Sequence, residues 1–272
     1  MQDSSTRSAV ILARGLGTRM RKSDPGASLA NDQSAAADLG MKGMIPIGRP
    51  FLDYVLSALA DAGFTRACLV IGPEHRGVID YYTVKSQLQR ITLDFAIQEK
   101  PLGTADAVLA AEEFCGGGPF VVINSDNYYP ADALRALRET VPPAIAGFAR
   151  SSLIADGNVA PDRVARFGAL TIDADGLLVS IVPRAGDPPL ADSEVYASMN
   201  CWLFDARIFN ACRSVTMSPR NELELPRAVQ LAIDTMGMKF KVVRLNAPVL
   251  DMSTRGDIAC VEEKLRSVNV RL

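Results

Sequence analysis

The sequence predicts an α/β fold in which a mostly parallel sheet carries helices on both faces. Short apolar runs rich in β-branched residues alternate along the 272 residues with segments of helical periodicity. The runs are apolar throughout rather than alternately apolar and polar, which is typical of parallel strands buried on both faces. Ligands of such sheets bind beyond the carboxyl ends of the strands, so the loops that follow the strands are where we expect the site.

The first half of the chain contains the clearest strand and helix patterns. The helix predicted at 50–63 begins at Pro50 and ends at Gly63, which are residue types that favour those positions. The apolar runs predict strands at 8–13, 66–72, 92–98, 120–126 and 144–149. The segments between them predict helices at 50–63, 104–114 and 131–140.

The second half is more mixed and predicts an inserted β lobe. Two predicted strands flank the tripeptide Ala-Asp-Gly, which is typical of a hairpin turn. Strands are predicted at 167–173, 177–183, 196–205 and 239–246, and helices at 206–215, 224–234 and 255–268. No linker separates the halves, so we predict one domain. The segment 22–40, made of small, polar and helix-breaking residues, predicts a long mobile loop.

Composition excludes several classes of function. The net charge of −2 does not favour a nucleic-acid or membrane-surface binder, and no apolar run approaches the roughly 18 residues of a membrane span. Five scattered cysteines without a C-x-x-C pair, and a polar N-terminus unlike a signal peptide, predict a cytoplasmic protein with reduced thiols. His75 is the single histidine, which argues against mechanisms that need several.

A glycine-rich, cationic turn follows the first predicted strand. The stretch "ILARGLGTRMRK" (11–22) lacks a dinucleotide fingerprint, because Met20 stands where the third glycine belongs, and it lacks the P-loop pattern. Gly15 and Gly17 allow backbone N–H groups to approach a phosphate chain, and Arg19 can neutralise that chain. The turn therefore predicts a site for a phosphate chain.

This stretch resembles the signature of the sugar-nucleotide pyrophosphorylases, nucleotidyltransferases that make NDP-sugars from an NTP and a sugar 1-phosphate. The similarity continues in "MKGMIPIGRPFLDYVLSALADAGF" (41–64). Three further segments follow in the family's order: "QEKPLGTADAVLAA" (98–111), "INSDNYYP" (123–130) and "VLDMSTRGD" (249–257). Arg14 is unusual, because relatives commonly have glycine or alanine at that position.

The resemblance implies a Rossmann-like, GT-A-like nucleotidyltransferase fold in a single domain over residues 1–272. Within it, residues 1–150 are expected to form the nucleotide-binding half and residues 151–250 the sugar-binding lobe. Residues 251–272 are expected to hold a metal-ligand segment and a terminal helix.

The resemblance also implies roles for individual residues. Arg19 and Lys42 are expected to be the catalytic cations, and Asp126 and Asp251 the ligands of Mg²⁺. Nucleotide contacts are expected from Leu12, Ala13, Gly15, Gly17, Thr18, Gln98, Gly103 and Thr104. Sugar contacts are expected from Gly168, Arg184 and Asn200, although Pro183 stands where the family's sugar motif has glutamate.

The implied reaction explains why such residues are needed. The attacking phosphate oxygen of a sugar 1-phosphate is already ionised, so catalysis rests on positioning two polyanions and on electrostatic stabilisation. The implied partners are an NTP and a sugar 1-phosphate, with no nucleic acid and no membrane, and the sequence leaves a homo-oligomer open.

Two alternatives remain. One is a non-catalytic, regulatory relative that binds sugar nucleotides. The other is a GT-A glycosyltransferase that would use the "SDN" at 125–127 as its metal site. The G-x-G-T-R turn and Lys42 argue against a transferase of that kind, which has no triphosphate to hold. The sequence does not specify the base or the sugar.

Overall fold

A computed structural model of the chain describes residues 6–183 and 195–272. Its strands are β1 (Ser8–Leu12), β2 (Arg66–Ile71), β3 (Thr92–Ile97), β4 (Phe120–Asn124), β5 (Asn127–Tyr128), β6 (Ala144–Ala149), β7 (Gly168–Ile172), β8 (Leu178–Pro183), β9 (Tyr196–Phe204), β10 (Lys241–Leu245) and β11 (Leu250–Asp251). Its α-helices are α1 (Thr18–Arg21), α2 (Asn31–Leu39), α3 (Phe51–Asp61), α4 (Arg76–Asp80), α5 (Thr104–Ala110), α6 (Glu112–Cys115), α7 (Ala131–Arg138), α8 (Arg150–Ala155), α9 (Pro161–Val164), α10 (Ile208–Ser214), α11 (Leu225–Met236) and α12 (Asp257–Leu265). A 3₁₀ turn at Lys42–Met44 and a π-helical turn at Tyr81–Lys85 complete the described elements.

The central sheet is mostly parallel, as predicted. Seven strands follow the order β10-β6-β9-β4-β1-β2-β3. In addition, β7 pairs with both β8 and β9, which attaches the β7–β8 hairpin to this sheet. Strand β1 is parallel to both neighbours, with Val10 opposite Cys68 of β2 and Val122 of β4. Strand β9 runs antiparallel to β4 and β6 and gives the sheet its mixed character.

Helices cover both faces of the sheet because β1 directs alternate apolar side chains to opposite sides. Ala9 and Ile11 pack into one core cluster, together with α3, α7 and α12. Val10 and Leu12 pack into a second cluster, together with α5, α10 and α11. This packing of helices on both faces of the sheet confirms the predicted α/β class. Among the described residues no helix is both long and apolar enough to cross a bilayer.

The prediction of a long loop at 22–40 is wrong over its second half, which forms α2. Gln33 holds this helix in place: its side chain accepts from the Ala30 N–H and donates to the Pro46 carbonyl at 3.0 Å and to Glu262 at 3.0 Å. Arg255 forms an ion pair with Asp38. These partners lie far away in sequence, so local residue preferences did not reveal the helix.

A buried carboxylate in α3 fastens the turn that follows α4. Asp53 is 2% exposed and accepts hydrogen bonds from the Tyr82 hydroxyl at 2.8 Å and the Tyr81 hydroxyl at 3.4 Å. Burial raises the pKa of Asp53 above its usual range, although the hydrogen bond from Tyr82 and the charge of Arg49 oppose that rise.

We expect Asp53→Asn to remove a pH dependence of stability. Because the folded-state pKa of Asp53 is raised, the folded protein binds more protons than the unfolded chain between about pH 4 and that raised value. The free energy of unfolding of the wild type should therefore fall, relative to that of the variant, as the pH rises through this window. Urea denaturation at several pH values measures the difference. Asp132→Asn, at an exposed position, is the control, and an equal slope in wild type and Asp53→Asn would contradict the assignment.

Candidate active site

A cleft of about 370 Å³ lies at the carboxyl ends of the parallel strands β1 to β4. Its walls come from the turn after β1, the 3₁₀ turn at Lys42–Met44, the residue after β3, the start of α5 and the residues after β4. Parallel sheets bind ligands at this edge. All the predicted nucleotide contacts line the cleft: Leu12, Ala13, Gly15, Gly17, Thr18, Gln98, Gly103 and Thr104.

The glycine-rich turn approaches the end of α2 closely. Gly17 has a φ of +62°, and a Cβ placed there would lie 2.3 Å from the Gly40 carbonyl oxygen. Thr18 lines the cleft, whereas Arg19 is exposed and is not among the lining residues. The Arg19 side chain has no hydrogen-bond or ion-pair partner within 6–183 and 195–272.

We expect Gly17→Ala to damage both stability and nucleotide binding. A left-handed backbone at a non-glycine residue costs about 1–2 kcal/mol, and the added methyl group meets backbone atoms that cannot move aside easily. The melting temperature should fall, and the affinity for an NTP should fall with it, because the displaced turn forms the cleft wall. Gly116→Ala is the control: Gly116 is also left-handed, but a Cβ there meets nothing within 4 Å and the residue is remote from the cleft. Equal effects of the two substitutions would show that steric contact at Gly17 is unimportant.

An ion pair lines the cleft. Lys42 Nζ lies 2.7 Å from Asp126 Oδ2, and the two side chains are only 15% and 21% exposed. The end of β4 is held against β1 by a hydrogen bond from the Ser125 N–H to the Leu12 carbonyl at 3.0 Å. A cation and a carboxylate are thus presented together beside the phosphate-binding turn.

Asp251 is brought to Asp126 by a small two-stranded sheet. Strand β11 pairs antiparallel with β5, with Asp251 opposite Asn127, and the Met252 N–H donates to the Asp126 carbonyl at 2.8 Å. Asp251 is buried and does not line the cleft itself. Burial, and next the negative charge of Asp126, raise the pKa of the Asp251 carboxyl.

The carboxylate of Asp251 has partners that sequence reasoning missed. Arg163 Nη2 lies 2.6 Å from Oδ2, the Ser253 hydroxyl donates to Oδ1 at 2.9 Å, and Asn127 Nδ2 donates to Oδ1 at 3.3 Å. Arg163 also pairs with Asp257 at 2.6 Å. No motif marks Arg163, because it lies on α9, far from Asp251 in sequence.

The donor set suits a hard divalent cation. Two carboxylates lie near enough for the charge of Asp126 to raise the pKa of Asp251, and a cation held by both would relieve that repulsion. Mg²⁺ takes one or two carboxylates together with substrate phosphate oxygens and water. Within the described ranges no three histidine, cysteine, aspartate or glutamate residues cluster as a complete protein-only metal site. The residues present therefore fit an ion that is shared with a substrate.

Gln98, the residue after β3, is a further lining residue of the cleft. It is 3% exposed, and its Nε2 donates to the Gly103 carbonyl at 3.0 Å and to Asp106 Oδ2 at 2.7 Å. Thr104 Oγ1 accepts from the Leu225 N–H at 2.8 Å, so this hydroxyl also has a structural role. Among the lining residues to which no function was assigned, three have ionisable side chains: Arg14, His75 and Glu222.

Two of the predicted sugar contacts, Gly168 and Asn200, are not among the residues that line this cleft. Gly168 begins β7, and Asn200 lies in β9, where the pairing with β6 shifts register. Asn200 is half-buried and has a φ of +54°, a strained backbone for a residue other than glycine. Arg184, along with the rest of 184–194, lies outside the described residues.

Known proteins resemble this chain over nearly its whole length. The family model for nucleotidyl transferases matches residues 36–247. Glucose-1-phosphate thymidylyltransferase of Actinoplanes sp. is 26% identical over 270 residues, covering 96% of this chain and 78% of the relative. UTP–glucose-1-phosphate uridylyltransferase AglF of Haloferax volcanii is 26% identical over 262 residues, covering 95% and 96%.

Solved structures show the same architecture. HddC from Yersinia pseudotuberculosis superposes with a TM-score of 0.66 at 25% identity, covering 96% of this chain and 100% of that one. A UDP-glucose pyrophosphorylase complexed with UDP-glucose gives a TM-score of 0.73 at 17% identity, covering 97% and 99%, and this likeness concerns the fold alone. Both agree with the GT-A-like fold that the motifs imply.

Proposed function

The chain belongs to the nucleotidyl transferase family, and from that premise we propose that it transfers a nucleoside monophosphate from an NTP to a sugar 1-phosphate and releases pyrophosphate. The observation that carries this proposal is the cleft itself. The glycine-rich turn, Lys42, Asp126 and Gln98 line one cavity at the carboxyl edge of the sheet. The names of the relatives from Actinoplanes and Haloferax support a sugar 1-phosphate as the acceptor.

The reaction needs little covalent chemistry from the protein. A phosphate oxygen of the sugar 1-phosphate forms a bond to the α-phosphorus of the NTP, and the bond from that phosphorus to the β-phosphate oxygen breaks as pyrophosphate leaves. The nucleophile is ionised at neutral pH, so no general base is required. The chain's work is to hold two polyanions in line and to stabilise the developing charge.

We assign the triphosphate to the glycine-rich turn, Arg19 and Lys42. The turn offers backbone N–H groups, and Lys42 is a largely buried cation whose attraction for phosphate is screened less than that of a surface lysine. Arg19 is exposed next to the lining residue Thr18, and its side chain is long enough to close over a bound triphosphate.

Asp126 and Asp251 are the residues that would hold Mg²⁺. When bound, the ion would neutralise phosphate charge at the reacting centre. Arg163, Ser253 and Asn127 fix the orientation of the Asp251 carboxylate, so that it does not have to be ordered when substrates arrive.

The sugar is assigned to residues 151–250, with Gly168 and Asn200 as contacts. The left-handed backbone of Asn200 supports this assignment, because strained residues are found preferentially at ligand sites. Arg184 stays a prediction from the motif. We further propose a cytoplasmic enzyme, which agrees with four buried cysteines and with free thiols throughout.

A pyrophosphate-release assay tests the function directly. The protein would be incubated with Mg²⁺, each of UTP, dTTP, GTP, ATP and CTP, and a panel of sugar 1-phosphates. We expect release that requires both substrates. Nucleotide binding without release for any pair would overturn the proposal and favour a regulatory relative. Sugar transfer from an NDP-sugar without pyrophosphate would favour a glycosyltransferase.

A further inference from the structure

The cleft holds, beside Gln98, a largely buried cation to which the proposed reaction assigns no role. Arg14 follows β1 and lines the cleft, and its side chain is 9% exposed. Its Nε donates to the main-chain carbonyl of Gln98 at 3.2 Å, and its Nη1 lies 2.7 Å from Glu74 Oε1. Nη2 makes no hydrogen bond or ion pair with any residue in the described ranges. Nε and Nη1 therefore hold the guanidinium in place, and the N–H donors of Nη2 have no partner among the described residues.

The backbone makes room for this guanidinium at the end of β2. A Cβ on Gly72 would lie 2.2 Å from Arg14 Nε and 2.4 Å from Glu74 Oε2. Any side chain at residue 72 would displace the Arg14–Glu74 pair. The glycine thus leaves the space that the pair occupies, and the position of Arg14 is specified by the surrounding chain.

Gln98 presents a hydrogen-bond acceptor beside these donors. Its Nε2 faces the Gly103 carbonyl and the Asp106 carboxylate, and both of these groups accept hydrogen bonds. Turning the amide round would place Oε1 against both of these acceptors, so Oε1 is the side-chain atom of Gln98 that has no partner among the described residues. Arg14 is bonded to the main chain of Gln98 and both residues line the cleft, so the cleft has an acceptor and a cationic donor on two residues that contact each other.

We propose that Arg14 is a specificity-determining residue that selects a nucleobase with a ring N–H next to a ring carbonyl, the edge shared by uracil, thymine and guanine. The inference rests on the proposed function. The ring N–H donates to Gln98 Oε1, and the adjacent carbonyl oxygen accepts from Arg14. Adenine has no carbonyl. The carbonyl of cytosine lies beside a ring nitrogen without hydrogen, whose lone pair would oppose Oε1.

The test compares the binding of UTP, dTTP, GTP, ATP and CTP by calorimetry in wild type and in Arg14→Met, which keeps bulk and removes the donors. We expect the wild type to bind one of the first three best. Arg14→Met should weaken that binding about 10- to 100-fold, the scale of losing one good base contact, and change ATP and CTP binding less than about threefold. Arg207→Met, which removes an exposed arginine and its ion pair with Asp205, is the matched control and should change none.

A second variant tests the position of Arg14 independently, in case Arg14→Met does not fold. Gly72→Ala keeps Arg14 but pushes its guanidinium aside, and should shift base preference in the same direction by a smaller factor. Melting curves establish that both variants are folded. A wild type that prefers ATP or CTP, or an Arg14→Met variant that loses affinity equally for all five nucleotides, would overturn the assignment.

The pyrophosphate assay separates this inference from the proposed function. If no NTP yields pyrophosphate and the base preference in binding still depends on Arg14, the transfer reaction fails and base selection stands. If pyrophosphate is released and Arg14→Met leaves the relative kcat/KM values of the five NTPs unchanged, only the inference fails.

Discussion

Replacing Asp126 with alanine is expected to lower turnover by at least about a hundredfold, the scale of losing one essential electrostatic contact. Asp126 is the lining carboxylate closest to Lys42, and its main-chain carbonyl joins it to the segment that carries Asp251. The substitution removes one of two proposed oxygen ligands and leaves Lys42 without its ion-pair partner. Because a negative charge disappears beside a polyanion site, the loss should fall on kcat, and the affinity for NTP should be kept or increased.

Two companion variants make this measurement specific. Asp126→Asn keeps the shape of the side chain but not its charge, and should be almost as impaired as the alanine variant. Asp132→Ala, six residues further along and exposed, should behave as the wild type. Steady-state pyrophosphate release at saturating Mg²⁺ gives kcat and KM for each. Near-normal kcat in Asp126→Ala would remove Asp126 from the proposed machinery.

Arg19→Ala should also lower kcat/KM by at least about a hundredfold, for a different reason. Arg19 lies in the first turn of α1, directly after the glycine-rich turn, and its side chain is bound to none of the residues that the structure describes. A cation with no partner in the folded protein contributes little to stability. We therefore expect the melting temperature of Arg19→Ala to equal that of the wild type while activity collapses.

The matched control for Arg19 is Lys22→Ala. Lys22 is an exposed cation just beyond the same short helix and carries the same charge. If general attraction of the polyanion accounts for the effect, the two variants should fall together and the effect should vanish at high salt. If Arg19 contacts the triphosphate, Lys22→Ala should retain nearly full activity. Normal activity in Arg19→Ala would contradict the assignment outright.

Motif reasoning worked best where function depends on contiguous backbone. The residues from Leu12 to Thr18 form one turn at the end of a buried strand, so their spacing alone determines that they line the same cleft. Lys42 and Asp126 lie in two other motifs: Asp126 follows β4, the parallel neighbour of β1, and Lys42 reaches it from the 3₁₀ turn after α2.

Sequence reasoning failed where the deciding contact is distant. Helix α2 has few apolar residues and is held by Gln33, whose partners include Glu262, and by the pair of Asp38 with Arg255. Arg163 reaches Asp251 across the fold from a four-residue helix. These contacts produce no periodic pattern and no motif in the sequence, because each depends on how separate elements pack.

The pairing of β5 with β11 determines how much of the chain must be synthesised before the proposed site is complete. Asn127 and Asp251 lie 124 residues apart, yet the two acidic residues of the site are joined through this pairing. A nascent chain that has completed β1 to β5, with the whole glycine-rich turn, Lys42 and Asp126, still lacks Asp251. The proposed carboxylate pair is therefore complete only after the strand at Leu250–Asp251 has been synthesised and has paired with β5.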